Sequence, residues 1–130
     1  MTLDYSQKEI KTILEKNDFE SQLPEFQDRE IWKKIKNKSL SKEIIEKANS
    51  IIKEPLPDVR FTDYKKFHKA GDRKAYEKPA NKKKTNLKHL VIAEGIKRND
   101  KYRDYINDYI WSFCEETAWV MSAHLSYYDV

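Results

Sequence analysis

Apolar residues recur at helical spacing through the first half of the chain, and this pattern predicts three short amphipathic helices. The first spans residues 6–16, where Ser6 and Glu9 have the spacing of a capping box. Asp28 is placed to cap the second helix, and Ser41 to open the third. The apolar positions of the second and third helices are Ile31, Trp32, Ile35, Ile44, Ile45, Ala48, Ile51 and Ile52.

The periodic pattern fades over residues 55–84, which begin with two closely spaced prolines. Gly71, Pro79 and Asn81 interrupt the stretch further, as residues typical of turns do. We therefore predict a long basic loop here, with short helical pieces inside it. A brief helical turn is expected where aromatic residues stand three apart, at Phe61, Tyr64 and Phe67.

The periodicity returns in the last third of the chain and predicts a pair of helices. Thr85 or Asn86 caps the fourth helix, and the fifth runs over about residues 101–116. Because only a very short turn joins them, the two helices should lie antiparallel. We expect an all-α fold of antiparallel helical hairpins. The predicted inward positions are Leu87, Leu90, Val91, Ile92, Tyr102, Tyr105, Ile106, Tyr109, Ile110 and Phe113.

The composition favours one helical unit over residues 1–130 that lacks part of its surroundings. Hydrophobic residues make up 38% of the 130 residues and charged residues 37%, an apolar share that is low for a globular domain. Such a unit should leave an apolar helix face for a complementing chain or a second copy to cover. Only two glycines and four prolines are present, which argues against a many-turned β-sandwich.

The sequence favours a cytoplasmic protein without a membrane span. The longest fully apolar runs, such as residues 90–93, fall far short of the roughly 20 residues that cross a bilayer. No secretory signal pattern opens the chain. Its single cysteine, Cys114, cannot form an internal disulfide, as expected in a reducing compartment.

The basic side chains are concentrated in one segment. From Lys65 to Lys88, ten Lys or Arg residues stand against Asp72 and Glu77, so the segment carries +8 of a total of +4 and the remainder carries −4. Such a block suits an anionic partner, either an acidic sugar polymer or nucleic acid. The alternative is a solvated basic loop that binds nothing.

The segment at the end of the fifth helix carries the residues best suited to bind a sugar. Trp119 offers an aromatic face on which a sugar ring can stack. His124 can donate a hydrogen bond or titrate near neutral pH. Glu116 can orient that histidine or bind a hydroxyl group. The alternative is structural, with Trp119 filling the core and His124 buried as a satisfied histidine.

Other kinds of site have little support in the sequence. The three histidines are scattered and no Cys-x2-Cys pair occurs, so no metal site is predicted. Without a glycine-rich phosphate loop, we expect no cofactor. Cys114 stands beside Glu115, and because an adjacent carboxylate disfavours a thiolate, we predict a buried, unreactive side chain there.

Between residues 76 and 125, several unlike residues follow one another in a familiar order. They are Tyr76-Glu77, Lys82-Lys83-Lys84, Leu87, Leu90-Val91, Ala93-Glu94, Tyr105-Ile106, Ile110-Trp111, Cys114-Glu115-Glu116, Trp119-Val120 and Ala123-His124. This stretch resembles the N-terminal region of heparinase II/III-like polysaccharide lyases and their relatives. Two departures are a serine, Ser122, where the family has proline, and lysines at a basic site that is usually arginine. A proline would fix φ, and an arginine would offer a bidentate fork.

The resemblance implies an incomplete α/α toroid of helical hairpins, followed in the family by a β-sandwich domain. It also implies β-elimination on uronic-acid-containing glycans. In that reaction a base removes the C5 proton while another group neutralises the uronate carboxylate. The family's principal base and acid lie further along the chain than this run, so we assign no catalytic residue. Glu116, Trp119 and His124 carry over as substrate-binding candidates, and the chain is interpreted as the N-terminal part of such a protein.

Two alternatives stay open at the level of sequence. One is a helical module that binds polyanions or nucleic acid through the +8 segment, in which Tyr64, Phe67 and Tyr76 stand among the lysines. No recognised nucleic-acid motif accompanies them, so nucleic acid is the less favoured partner. The other is a protein-interaction unit without catalysis, using the tyrosine-rich fifth helix as its interface.

Overall fold

The computed structural model describes residues 6–16, 25–118 and 120–124, and over these ranges the chain is all-helical without a strand. This confirms the predicted fold class. A short 3-10 helix, Ser122–His124, follows the last α-helix. The α-helices are α1 Gln7–Lys16, α2 Arg29–Lys36, α3 Ser39–Ile51, α4 Phe61–Ala70, α5 Lys74–Lys97 and α6 Arg103–Cys114.

The first two predicted helix starts are confirmed by their capping contacts. The Ser6 backbone N–H donates to Glu9 Oε2 at 2.9 Å and the Ser6 hydroxyl accepts from the Glu9 N–H at 3.3 Å, which closes the capping box of α1. Asp28 Oδ1 accepts the Ile31 N–H at 3.2 Å at the start of α2. The third helix begins at Ser39 rather than Ser41. The buried Ser41 hydroxyl instead donates to the Ile35 carbonyl of α2.

Helix α5 is the centre of the fold, and it corrects the long loop expected over residues 55–84. It begins at Lys74, and α2, α3, α4 and α6 all pack against it. Residues that face the interior recur along α5 at alternating spacings of four and three. The helix therefore has an inward face from its first turns, which explains why it begins at Lys74. This stripe of inward residues comprises Tyr76, Ala80, Lys83, Leu87 and Leu90. Pro79 removes one backbone hydrogen bond from α5 without ending it.

The buried apolar residues form two clusters. The main cluster joins α3, α5 and α6, and partly buried side chains such as Leu87 and Ile106 extend it. A second cluster, Tyr64, Tyr76 and Ala80, joins α4 to the first turns of α5. Ala118 and Met121, which follow α6, pack against this second cluster. The segment after α6 is thereby held against α4 and α5. The main cluster contains Ala48, Ile51, Leu90, Ala93, Tyr102 and Tyr109.

Helices α5 and α6 form the antiparallel hairpin that the sequence predicts. Pairs of contacting residues show this, because the residue numbers decrease along α5 as they increase along α6. Glu94 contacts Tyr102, Asn86 Nδ2 donates to the Tyr109 hydroxyl at 2.9 Å, and Lys83 contacts Ser112. The inward face of α6 is narrower than expected. Tyr105 and Ile110 are exposed, as is Val91 on α5.

A buried carboxylate holds the turn between these two helices. Glu94 is 5% exposed and accepts the Asp100 N–H at 2.8 Å and the Tyr102 N–H at 3.1 Å. Both N–H groups precede or open α6, where backbone donors lack partners within the helix. Arg98 and Asp100 adopt positive φ in this turn, which lets the chain reverse within a few residues. Glu94 therefore acts as the N-terminal cap of α6 from the neighbouring helix.

We expect Glu94→Ala to lower the free energy of unfolding by about 2 kcal/mol, because it leaves two backbone N–H groups without an acceptor. Glu94→Gln retains one acceptor oxygen and should lose less. Urea denaturation followed by circular dichroism measures both variants. An alanine variant as stable as the parent chain would contradict the capping role.

None of the helices in the described ranges is long and apolar enough to cross a membrane. The longest, α5, carries charged side chains along most of its length.

Candidate functional site

A cleft of about 370 Å³ opens where the segment before α4 meets the end of α6. Residues 56–61 form one wall and residues 115–118 the other. Tyr64, Tyr76 and Lys83 line it from α4 and α5. The second apolar cluster lies beneath these walls, so the cleft is built on packed helices rather than on loops alone.

Lys83 is the most deeply buried charged group of the site. Its side chain is 2% exposed, and its ammonium donates to the Ser112 carbonyl at 3.0 Å and to Glu116 Oε1 at 2.5 Å. The same ammonium lies 4.5 Å from the centroid of the Phe113 ring, within the range of a cation–π contact. A buried ammonium needs such compensation, because burial without partners costs several kcal/mol. Lys83 thus ties the end of α6 to α5 and fixes the carboxylate of Glu116.

Two tyrosines stand side by side in the cleft. The rings of Tyr64 and Tyr76 meet edge to face, with centroids 4.8 Å apart at 89°. The Tyr76 hydroxyl makes a long contact of 3.5 Å with the Ala118 carbonyl. Burial raises the pKa of Tyr64, and burial followed by the charge of Glu116 and then Tyr64 raises the pKa of Tyr76. Both phenols are therefore protonated at neutral pH and can donate hydrogen bonds.

Arg60 and Asp58 form an exposed ion pair among the residues that line the cleft. Arg60 Nε lies 2.5 Å from Asp58 Oδ2, and the hydrogen bond to Asp58 raises the already high pKa of Arg60. Because Nε makes this contact, the terminal amino groups of the guanidinium can serve an anionic ligand.

A smaller cavity of about 220 Å³ adjoins the cleft. Tyr76, Glu116 and Ala118 line both spaces and form the partition between them. On the far side, Lys84 adds an exposed ammonium, while Phe113 and Met121 add apolar surface. The site therefore consists of two adjoining spaces with one carboxylate, that of Glu116, between them.

Of the three site residues predicted from sequence, the structure places one, Glu116, in the cleft lining. Glu116 lies in the partition just described, with its side chain 19% exposed. His124 lies exposed at the end of the 3-10 helix, which packs against α4, and it lines neither space. Trp119 lies outside the described residues. The structure therefore brings Glu116 to the cleft but does not bring His124 to the lining.

Two further expectations need correction. Cys114, predicted to be buried, is exposed, because the inward side of α6 carries the buried Tyr109 and the half-buried Phe113 and leaves Cys114 on the outer face. Sequence reasoning named Lys83, Tyr64 and Tyr76 but did not place them at the sugar site. Their signal was present in the spacing of Tyr76, Ala80 and Lys83, but a lysine did not count as an inward residue.

Within the described residues, no three His, Cys, Asp or Glu side chains group together in a way that could hold a metal ion. The side chains that line the cleft include three carboxylates (Asp58, Glu115 and Glu116), two phenols and two cations, each cation paired with a carboxylate. That set suits hydrogen bonding to the hydroxyl groups of a polar organic ligand.

Comparison with known proteins adds no relative: no protein-family model matches the chain, and no curated protein matches it.

Proposed function

We propose that this chain forms part of an incomplete α/α toroid whose cleft binds uronic-acid-containing polysaccharide, as in heparinase II/III-like proteins. β-Elimination belongs to the family's longer proteins, and no residue here is given a catalytic role. The observation that carries the proposal is the meeting of Tyr76, Lys83 and Glu116 in one cleft. All three belong to the stretch that resembles the family, and Glu116 comes from 33 residues beyond Lys83.

The chemistry of the cleft supports a sugar ligand. Sugar rings bind through aromatic surfaces combined with oriented hydrogen-bonding groups. Tyr64 and Tyr76 supply rings and hydroxyl donors, while Glu116 supplies an acceptor that Lys83 holds in place. A carboxylate fixed in advance loses less entropy when a hydroxyl binds to it.

The site offers two cations to an acidic sugar. Lys83 is committed to Glu116, so the cations accessible to a uronate carboxylate are Arg60 in the cleft and Lys84 in the adjoining cavity. Burial raises the pKa of Tyr76, so its phenol stays protonated at neutral pH. Its part in the proposal is therefore donation of a hydrogen bond to the ligand.

We expect Trp119→Ala to abolish binding of a uronate oligosaccharide while leaving helix content nearly intact, because the ligand loses a stacking surface. Tyr76→Phe removes a hydroxyl donor from the cleft and should weaken binding, whereas His124→Ala, at a residue that lines neither space, should leave binding unchanged. Isothermal titration calorimetry measures the binding, and circular dichroism measures the helix content.

Matched controls come from the same chain. Trp111→Ala removes a tryptophan that is 69% exposed on α6, and His89→Ala removes a histidine on α5; neither residue lines the two spaces. Both control variants should bind like the parent chain. Normal binding by the Trp119 and Tyr76 variants would show that the site assignment is wrong. A parent chain that binds no uronate glycan would overturn the proposed function itself.

A further inference from the structure

Seven of the ten cations of the basic segment fall into two groups. The first group faces acidic partners: Lys66 contacts Asp63, Arg73 contacts Glu77, Lys82 contacts Glu54 and Lys83 contacts Glu116. The contacts of Lys82 and Lys83 fasten α5 to the segments that follow α3 and α6. The other two contacts lie within α4 and at the start of α5. The segment's charge is thus partly neutralised within the fold.

The second group lies in a line on the outer face of α5. Lys74, Lys78 and Lys88 are exposed, and none forms an ion pair among the described residues. Asn81 and Thr85 complete the line at helical spacing, and both are exposed. We call these five residues the α5 strip. At 1.5 Å per residue the strip is about 21 Å long.

The strip is joined to the candidate site through Lys84. This residue lines the smaller cavity together with Tyr76 and Glu116, and it lies one helical turn from Lys88. A ligand that passes from the cleft across the Glu116 partition therefore reaches Lys84 and then the strip. Further lysines therefore lie along α5 beyond the cleft and the adjoining cavity.

We propose that the α5 strip is an extended docking surface for the polymer chain of an acidic polysaccharide, outside the cleft that holds its bound sugar units. This inference rests on the proposed function. The three lysines attract the repeating carboxylate or sulfate groups of the polymer. Asn81 and Thr85 lie between them and can bond with sugar hydroxyl groups.

The make-up of the strip favours a glycan over a single-stranded nucleic acid. Single-stranded nucleic acids are held by aromatic side chains on which successive bases stack. None of the five strip residues is aromatic, and the nearby Tyr76 is buried. A polymer that offers hydroxyl groups between its charges matches a strip in which Asn81 and Thr85 lie between Lys78 and Lys88.

The test is the dependence of affinity on polymer length. The triple variant Lys74→Gln, Lys78→Gln and Lys88→Gln is compared with the parent chain for a uronate disaccharide and for a long oligosaccharide of the same repeat. We expect the affinity for the long ligand to fall about tenfold, since each exposed charge contributes a small amount. Affinity for the disaccharide, which the cleft holds, should not change. The salt dependence of binding to the long ligand should become shallower.

A matched control removes the same charge elsewhere. Lys34→Gln, Lys36→Gln and Lys42→Gln change three exposed lysines on α2 and α3, and this variant should bind both ligands like the parent chain. If the two triple variants lose equal affinity for the long ligand, the effect comes from net charge alone and the proposal for the strip is wrong.

The remaining outcomes separate the two proposals. If the disaccharide binds but the long ligand binds no more tightly, the strip is wrong and the cleft stands. If single-stranded DNA of equal charge binds as tightly as the long glycan and with the same loss in the strip variant, the glycan assignment of the strip is wrong. If the parent chain binds neither glycan, both proposals fall together.

Discussion

Glu116→Gln is expected to lower the free energy of unfolding by roughly 3 kcal/mol, because it strands the ammonium of Lys83 inside the fold. The Lys83 side chain is 2% exposed and that of Glu116 is 19% exposed, so the lysine is the more buried partner. Its ammonium keeps the Ser112 carbonyl and the Phe113 ring as partners in the variant. These remaining contacts place the loss at the lower end for a broken buried ion pair.

The converse change should cost less. Lys83→Met retains the aliphatic stem between α5 and α6 and removes the buried charge. The Glu116 carboxylate left behind borders the cleft and can be reached by water, so we expect a loss of about 1–2 kcal/mol. A larger loss of stability in Glu116→Gln than in Lys83→Met would show that the Lys83 ammonium is the more deeply buried charge.

The double variant Lys83→Met with Glu116→Gln completes a cycle. Because it removes both charges together, it should be more stable than Glu116→Gln alone, and urea denaturation of all four proteins measures this. A double variant whose loss equals the sum of the two single losses would show that the pair is not coupled. Lys82→Met is a suitable control, since Lys82 is a neighbouring lysine whose ion pair with Glu54 is exposed.

Lys83 also explains where sequence reasoning failed for the fold. The apolar stripes of α3 and of the α5–α6 hairpin can be recognised in the sequence as apolar residues at helical spacing. The first turns of α5 have the same spacing, but their stripe includes a lysine, and a proline, Pro79, lies inside the helix. A lysine becomes an interior residue only when a carboxylate such as Glu116 meets it, and that partner is distant in sequence. Pattern alone therefore predicted a loop.

The candidate site could be predicted only in part for a related reason. Glu116 was found through its neighbours in sequence, whereas Tyr64 and Tyr76 come together because α4 packs on α5, which a single sequence does not reveal. Cys114 was misplaced because Tyr109 is the one buried residue of α6, so the inward face of this helix is narrower than its apolar pattern suggests. The sequence also did not reveal the capping role of Glu94, since the backbone N–H groups that donate to its carboxylate lie across a turn.

Gly95→Ala is expected to lower the free energy of unfolding by about 2–3 kcal/mol, although alanine is normally the better helix former. The reason is the close approach of α2 to α5. A Cβ atom at Gly95 would lie 2.6 Å from Trp32 Cζ3 and 2.7 Å from Trp32 Cζ2. The ring cannot move aside without loss, since Trp32 is buried and its Nε1–H donates to the Glu25 carbonyl at 3.0 Å. Arg29 further binds the Gly95 carbonyl at 2.9 Å.

The chain's other glycine provides the matched control. Gly71 ends α4 with φ +68°, and nothing lies within 4 Å of an added Cβ, so Gly71→Ala should cost only about 1 kcal/mol of backbone strain. A smaller side chain at position 32 tests the cause directly. Trp32→Leu should be less harmful in the Gly95→Ala background than in the parent chain, because the leucine leaves room for the new methyl group. If the two glycine variants lose equal stability, or if Trp32→Leu costs the same in both backgrounds, contact between α2 and α5 is not what requires glycine at position 95.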